Sequence, residues 1–132
     1  MKKILLAAGR GWPRGIVGLV AGKLTEEFYR PVLVLDRGEV EATGSARSIR
    51  NFNIIEAISQ SKELLLKYGG HPMAAGFTLN SEQVEIFHQQ LLLYAEKTLS
   101  EEDLSPVIYY DAELTLKEIN EEFDRLVRER MR

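Results

Sequence analysis

KILLAAGRGWPRGIVGLVAGKLTEEFYRPVLVL, residues 3–35, sets the architecture of this chain. Lys3 to Ala8 is apolar and stops at Gly9-Arg10-Gly11, the pattern of a buried strand entering a turn. From Gly15 to Tyr29 the apolar residues Ile16, Val17, Leu19, Val20, Leu24 and Phe28 recur at near-helical spacing, with Thr25-Glu26-Glu27 on the wet side. Arg30-Pro31 ends that helix, because the residue before a proline avoids helical geometry, and Val32 to Leu35 is the next strand. Strand, helix, strand in this order predicts a βαβ unit.

Beyond that unit, Asp36-Arg37-Gly38-Glu39 forms a turn and Val40 to Ser45 a hairpin partner. Asn53 is placed to cap a helix from Ile54 to Tyr68, with Gly69 as its left-handed C-cap. Met73 to Leu79 reads as a strand of small residues. Ser81-Glu82 opens a helix to Leu99 that buries Val84, Phe87, Leu91 and Ala95. The fold class is therefore α/β, a mixed β-sheet flanked by helices. Residues 1–100 form this domain, and residues 101–132 a connector strand and helix toward a further C-terminal region. Within that C-terminal strand-helix extension, 107–114 is the strand and 116–132 a charged helix with a narrow stripe of Ile119, Phe123, Leu126 and Val127.

A chain of 132 residues with 45% hydrophobic content can bury a core without staples. It has no cysteine, which removes disulfides and thiolate metal sites and suits a reducing cytoplasm. The run Ile4 to Ala8 is too short for a signal peptide or membrane span, so no membrane partner is expected. The net charge of −3 disfavours coating nucleic acid by bulk electrostatics. Charge is uneven, however: residues 1–68 carry 11 Lys and Arg against 7 Asp and Glu, and residues 69–132 carry 6 against 13. A phosphate-binding surface belongs to the first half.

Three segments could carry chemistry. Gly69-Gly70-His71 precedes the small residues Met73-Ala74-Ala75-Gly76; the glycines let backbone approach an anion, and the imidazole can donate to phosphate. The plainer alternative is a helix C-cap with a surface histidine. Gly44-Ser45-Ala46-Arg47-Ser48 sets two hydroxyls around a bidentate guanidinium, suited to phosphate oxygens, although a solvated turn has the same composition. Gly9 to Gly18 is a glycine-spaced loop entering a helix, where Arg10 and Arg14 add charge and Trp12 could stack on a base or fill the core edge. It is neither a Walker A loop nor a dinucleotide fingerprint. Only His71 and His88 are available as imidazoles, and His88, beside Gln89 and Gln90, is expected to face solvent. Asp36 and Asp111 have no evident partner, and the acidic runs at 101–103 and 121–122 read as solvated faces. No metal cluster and no hydrolytic machinery are visible.

Taken together and in order, WPRGIVGLVAGKL, RPVLVL, GSARS and KYGGHPMAAGFTL resemble the DHH-associated domain of RecJ-type single-strand exonucleases, within the DHH phosphoesterase superfamily. The resemblance covers residues 3 to 99, and YYDAEL resembles the connector that follows. It implies an α/β unit facing a separate DHH catalytic domain of the same full-length protein across a groove. Single-stranded DNA would enter that groove and be cut from its 5′ end, in DNA repair and recombination. No cofactor is implied in this chain; Mn2+ or Mg2+ is expected on the DHH domain. Ser45, Arg47 and Ser48 would hold phosphates, while Gly69, Gly70 and His71 would line the cleft, His71 in an assisting catalytic role. Arg14 and Trp12 belong to the neighbouring loop. Many relatives have histidine after the tryptophan where this chain has Pro13, so a histidine role there does not transfer. The DHH motif is absent, which implies a piece of a longer enzyme, inactive alone. The alternatives are a domain of a small DHH-family oligonucleotide or cyclic-dinucleotide phosphodiesterase, and a non-catalytic protein-interaction adaptor.

Overall fold

The computed structural model describes residues 1–104 together with Glu121, Asp124, Arg125 and Arg128. In chain order the elements are β1 (Leu5–Gly9), α1 (Arg14–Phe28), β2 (Val32–Arg37), β3 (Glu41–Arg47), α2 (Ile54–Ser59), β4 (Leu65–His71), β5 (Ala74–Asn80) and α3 (Val84–Thr98). Short 3-10 turns occupy Lys62–Leu64, Ser81–Gln83 and Glu102–Leu104. The strands form one mixed sheet in the order β1-β2-β3-β5-β4. β1 and β2 are parallel, as the crossover through α1 requires, and every other pairing is antiparallel.

Side chains alternate across a strand, so the sheet has two inner faces. Ile4, Leu6, Leu33, Leu35, Ala42, Ala46, Phe77 and Leu79 point to one face and pack against Ile54, Ala57 and Ile58 of α2 and Val84, Phe87, Leu91 and Ala95 of α3. Phe77 and Phe87 meet there with ring centroids 5.3 Å apart. Gly44 lies on this face because a β-carbon would come within 2.6 Å of the Phe77 ring and 2.7 Å of Leu35 Cβ. On the opposite face, Leu5, Ala7, Val32 and Val34 pack against Val17, Val20, Ala21 and Leu24 of α1. Each such fully buried Leu, Ile or Phe contributes roughly 1.5–3 kcal/mol.

One expected element differs. The helix begins at Ile54, with Asn53 Oδ1 accepting the Glu56 amide at 3.1 Å, but it ends at Ser59 rather than Tyr68. Ser61 is buried and its hydroxyl donates to Gln90 of α3, which turns the chain. Leu65 to His71 then pairs with β5, so Gly69 and Gly70 are strand residues and not a helix C-cap. Gly70 is required by the pairing: its φ is +149°, and a β-carbon there would lie 2.4 Å from the Ala74 carbonyl oxygen. The helix expected from Ser81 starts as a 3-10 turn and becomes α-helical at Val84.

The chain after α3 is tied back to the body. Lys3 Nζ donates to the Leu99 carbonyl at 2.6 Å, Asn51 donates to Asp103 at 3.2 Å, and Arg30 Nη1 donates to the carbonyls of Tyr29 and Leu104 at 3.1 and 3.0 Å. Burial lowers the Arg30 pKa from its ordinary value, partly offset by nearby Glu101. The strand expected at 107–114 lies outside the described residues. Of the helix expected at 116–132, the described residues Glu121, Asp124, Arg125 and Arg128 are helical and exposed.

Candidate nucleic-acid interface

α1 spans only part of its face of the sheet. It lies chiefly over β2 and β3 and packs on Leu5 and Ala7 of β1, and on this face no helix among the described residues lies over β5 and β4. Strand register places the residues from the margin of α1 to the β4 edge in three rows. Arg47, Ala74 and His71 form the first, Ser45, Gly76 and Gly69 the second, and Thr43, Thr78 and Lys67 the third. Directly opposed residues share a face, so Ser45, Arg47, Gly69 and His71 all project to the same side. With strands about 4.8 Å apart, the Arg47 and His71 α-carbons are about 10 Å apart across Ala74.

The floor between them is bare backbone. A β-carbon added at Gly69 would meet no atom within 4 Å, and one at Gly76 would meet only the Gly44 carbonyl oxygen at 3.8 Å. α1 forms one wall, and its Gly18 faces Arg47 and Ser45. A β-carbon at Gly18 would lie 3.1 Å from Arg47 Nη2 and 3.6 Å from Ser45 Oγ. Arg47 Nη1 donates to the Ala46 carbonyl at 2.8 Å, which orients the guanidinium, and no carboxylate pairs with it among the described residues. A guanidinium beside a hydroxyl, held without a carboxylate and above an open floor, is suited to a tetrahedral oxyanion.

Backbone contacts hold the two halves of this site together. The Ser48 amide donates to the Met73 carbonyl at 3.0 Å, and the Ile54 amide donates to the Pro72 carbonyl at 2.9 Å. The hairpin turn after His71 is thereby fixed against the segment after Arg47.

The other candidate residues fall elsewhere. Gly70 pairs with Ala75 and faces the opposite side of the sheet, serving close strand approach. Ser48 is buried, and its hydroxyl donates to the Phe52 carbonyl at 2.6 Å. It latches the loop instead of facing the open floor. Trp12 is partly buried at the edge of the α1 core, its ring over Gly9, where a β-carbon would lie within 2 Å of the indole. Its amide donates to Asp36 Oδ1 at 3.1 Å, which gives that aspartate a defined role in the loop. Arg14 is exposed in the first turn of α1, one turn before Gly18 on the same helix face.

His88 departs from expectation. It is only partly exposed, its Nε2 is buried without a hydrogen-bond partner, and desolvation followed by nearby Lys2 lowers its pKa. The surrounding glutamines suggested a wet helix face, but the N-terminal residues cover this part of α3. Sequence reasoning also missed Gly18, Thr43, Thr78 and Lys67. The period-2 alternation Lys67, Gly69, His71 was the available signal, and reading 54–68 as one helix concealed it.

Among the described residues no group of three or more His, Asp or Glu side chains is arranged to hold a metal ion. Hard divalent cations need several convergent oxygen donors, whereas this face offers Asp36 and Glu41 at one end and no third acid beside them among the described residues. No helix among the described residues is long and apolar enough to cross a membrane.

Residues 1–97 match the DHHA1 domain family. The chain is 45% identical over 120 residues to the single-stranded-DNA-specific exonuclease RecJ of Bacillus subtilis, covering 89% of this chain and 15% of that protein. Against RecJ of Haemophilus influenzae it is 34% identical, covering 89% of this chain and 21% of the relative. The chain thus spans about a fifth or less of these curated relatives. A crystal structure of RecJ from Thermus thermophilus in complex with Mg2+ superposes with a TM-score of 0.67 at 30% identity, over 73% of this chain and 15% of that one. A crystal structure of exonuclease RecJ bound to manganese gives 0.70 at 28%, over 80% and 26%. The C-Ala domain of Aquifex aeolicus alanyl-tRNA synthetase shares the fold, at 14% identity and a TM-score of 0.55. With its family model matched over nearly the whole sheet-and-helix unit and its fold that of the RecJ structures, the chain belongs to the DHHA1 domain family.

Proposed function

We propose that this chain is the substrate-gripping domain of a RecJ-like 5′-to-3′ single-stranded-DNA exonuclease that acts in DNA repair and recombination. The observation that carries the reading is the convergence of Ser45 and Arg47, at the margin of α1, with Gly69 and His71 on the adjoining part of the same sheet face that no described helix covers. Arg47 and Ser45 hold a phosphate near the leading nucleotide. His71, on the edge strand, faces the same phosphate from the other side of Ala74 and assists there by hydrogen bonding. Arg14 extends the same wall along α1, and Trp12 belongs to the loop that enters it. The catalytic Mn2+ or Mg2+ belongs to a DHH domain elsewhere on the same polypeptide, and this chain supplies phosphate contacts to it. A chain without cysteine suits the cytoplasm in which such an enzyme works.

The test is titration of a labelled 5′-phosphorylated single strand at low salt, where phosphate contacts are strongest. The wild-type chain binds weakly and does not cut the strand with added Mn2+. Arg47→Ala and His71→Ala each weaken binding, while the exposed α3 substitution Gln89→Ala leaves it unchanged. Equal affinity in all four proteins would remove the phosphate assignment and favour a protein-interaction adaptor. Metal-dependent cleavage by the chain alone would show that it holds a metal site of its own.

A further inference from the structure

The third row of the open face has no role in the preceding reading, yet it continues the same surface. Lys67 stands on β4 four residues before His71 and on the same side of the sheet, opposite Thr78. With about 10 Å across the strands and about 13 Å along them, the Lys67 and Arg47 α-carbons are about 16 Å apart, a span that the two long side chains shorten by reaching toward each other. The Lys67 side chain is exposed and forms no hydrogen bond or ion pair among the described residues. Thr78, its cross-strand partner, is buried and shares a hydrogen bond at 3.3 Å with half-buried Thr43, so the exposed polar group of this row at the β4 edge is the Lys67 ammonium. Between this row and the Arg47 row lies the side-chain-free strip of Gly69 and Gly76. The acids on this face, Asp36 and Glu41, lie on β2 and at the start of β3, away from the β4 edge.

We infer that Lys67 is a second phosphate subsite, so that the face takes two successive phosphates of one strand. The leading phosphate sits at Arg47 and Ser45, the intervening sugar lies over Gly69 and Gly76, and the next phosphate meets Lys67. The backbone then follows the β4 edge and avoids Asp36 and Glu41. A flexible four-carbon stem lets the ammonium close the remaining distance as a point charge. This inference rests on the phosphate assignment of Arg47.

The test uses the full 132-residue chain at low salt with two ligands, a 5′-phosphorylated mononucleotide and a 5′-phosphorylated dinucleotide. Binding is followed by amide chemical shifts. The wild type prefers the dinucleotide by about tenfold, the scale of one charged hydrogen-bonded contact. Lys67→Gln abolishes that preference and leaves mononucleotide binding unchanged. Lys67→Arg restores it, and Lys62→Gln, an exposed lysine on the 3-10 turn outside this face, changes neither. Arg47→Ala weakens both ligands. An intact dinucleotide preference in Lys67→Gln, or an equal loss of both ligands, overturns the second subsite while Arg47→Ala still reports on the first. Failure of the wild type to bind either ligand overturns both readings together.

Discussion

The adjacent glycines of β4 should respond to the same substitution in opposite ways. At Gly70 an added methyl would meet the Ala74 carbonyl oxygen at 2.4 Å, Ala75 Cα at 2.6 Å and Ala75 Cβ at 2.9 Å. The first two are backbone atoms of a paired strand and cannot rotate away. Moving the strand to admit a methyl costs roughly 1–3 kcal/mol, as overpacking does. The φ of +149° adds roughly 1–3 kcal/mol for a residue with a side chain. Gly70→Ala should therefore lose about 2–6 kcal/mol, a large part of the roughly 5–15 kcal/mol that holds such a domain. At Gly69 the methyl meets nothing within 4 Å and the backbone has no positive φ. There the change should lie within about 1 kcal/mol and lean toward stabilisation through the unfolded chain. Urea denaturation followed by circular dichroism measures both. The Gly69→Ala methyl projects onto the open floor, so that folded variant should bind a 5′-phosphorylated strand less well. A loss under about 1 kcal/mol for Gly70→Ala, or greater damage from Gly69→Ala than from Gly70→Ala, would overturn this assignment of the two glycines.

Three further outcomes are expected. Burial holds the His88 pKa below its ordinary 6.5, so the unfolded state takes up the proton first. Stability contributed by neutral His88 is complete above pH 6.5 and is lost as pH falls through the lowered folded value; His88→Gln should flatten that part of a thermal-denaturation profile recorded from about pH 7.5 down to about pH 5. Ser48→Ala should cost about 1–2 kcal/mol in urea denaturation by orphaning the Phe52 carbonyl, while DNA affinity is kept; a binding loss without a stability loss would return Ser48 to the phosphate site. Arg30→Met removes the donor to the Tyr29 and Leu104 carbonyls and should raise amide exchange across residues 99–104, with little change in β2; unchanged exchange would show that the connector does not depend on this guanidinium.

Periodicity made most of this architecture legible. The βαβ unit is written in residues 3–35 because parallel strands buried on both faces read as continuous apolar runs, and α1 carries its own 3.6-residue stripe. The stretch from Gln60 to Tyr68 was not legible, because Leu64-Leu65-Leu66 fits either a helix or a strand. The choice was made by tertiary contacts, namely Ser61 to Gln90 and the pairing with β5. That misassignment carried into the site. As a helix cap, Gly69-Gly70-His71 is one motif; as an edge strand it splits, with Gly69 and His71 on the open face and Gly70 on the other. The same parity separates Ser45 and Arg47 from buried Ser48. Order along the chain identified the segments, and strand parity decided which of their side chains act together.

If the open half of the sheet grips a strand by its phosphates, its backbone must sense whether a terminal phosphate is present. Amide chemical-shift mapping of the wild-type chain reads this with two single strands of one sequence, one ending in a 5′-phosphate and the other in a 5′-hydroxyl. The largest differences between the two ligands should cluster at Ser45, Arg47, Gly69, His71 and Gly76, and should vanish in Arg47→Ala. Identical maps for the two ligands, or differences centred on α2 and α3, would contradict a phosphate grip on this face.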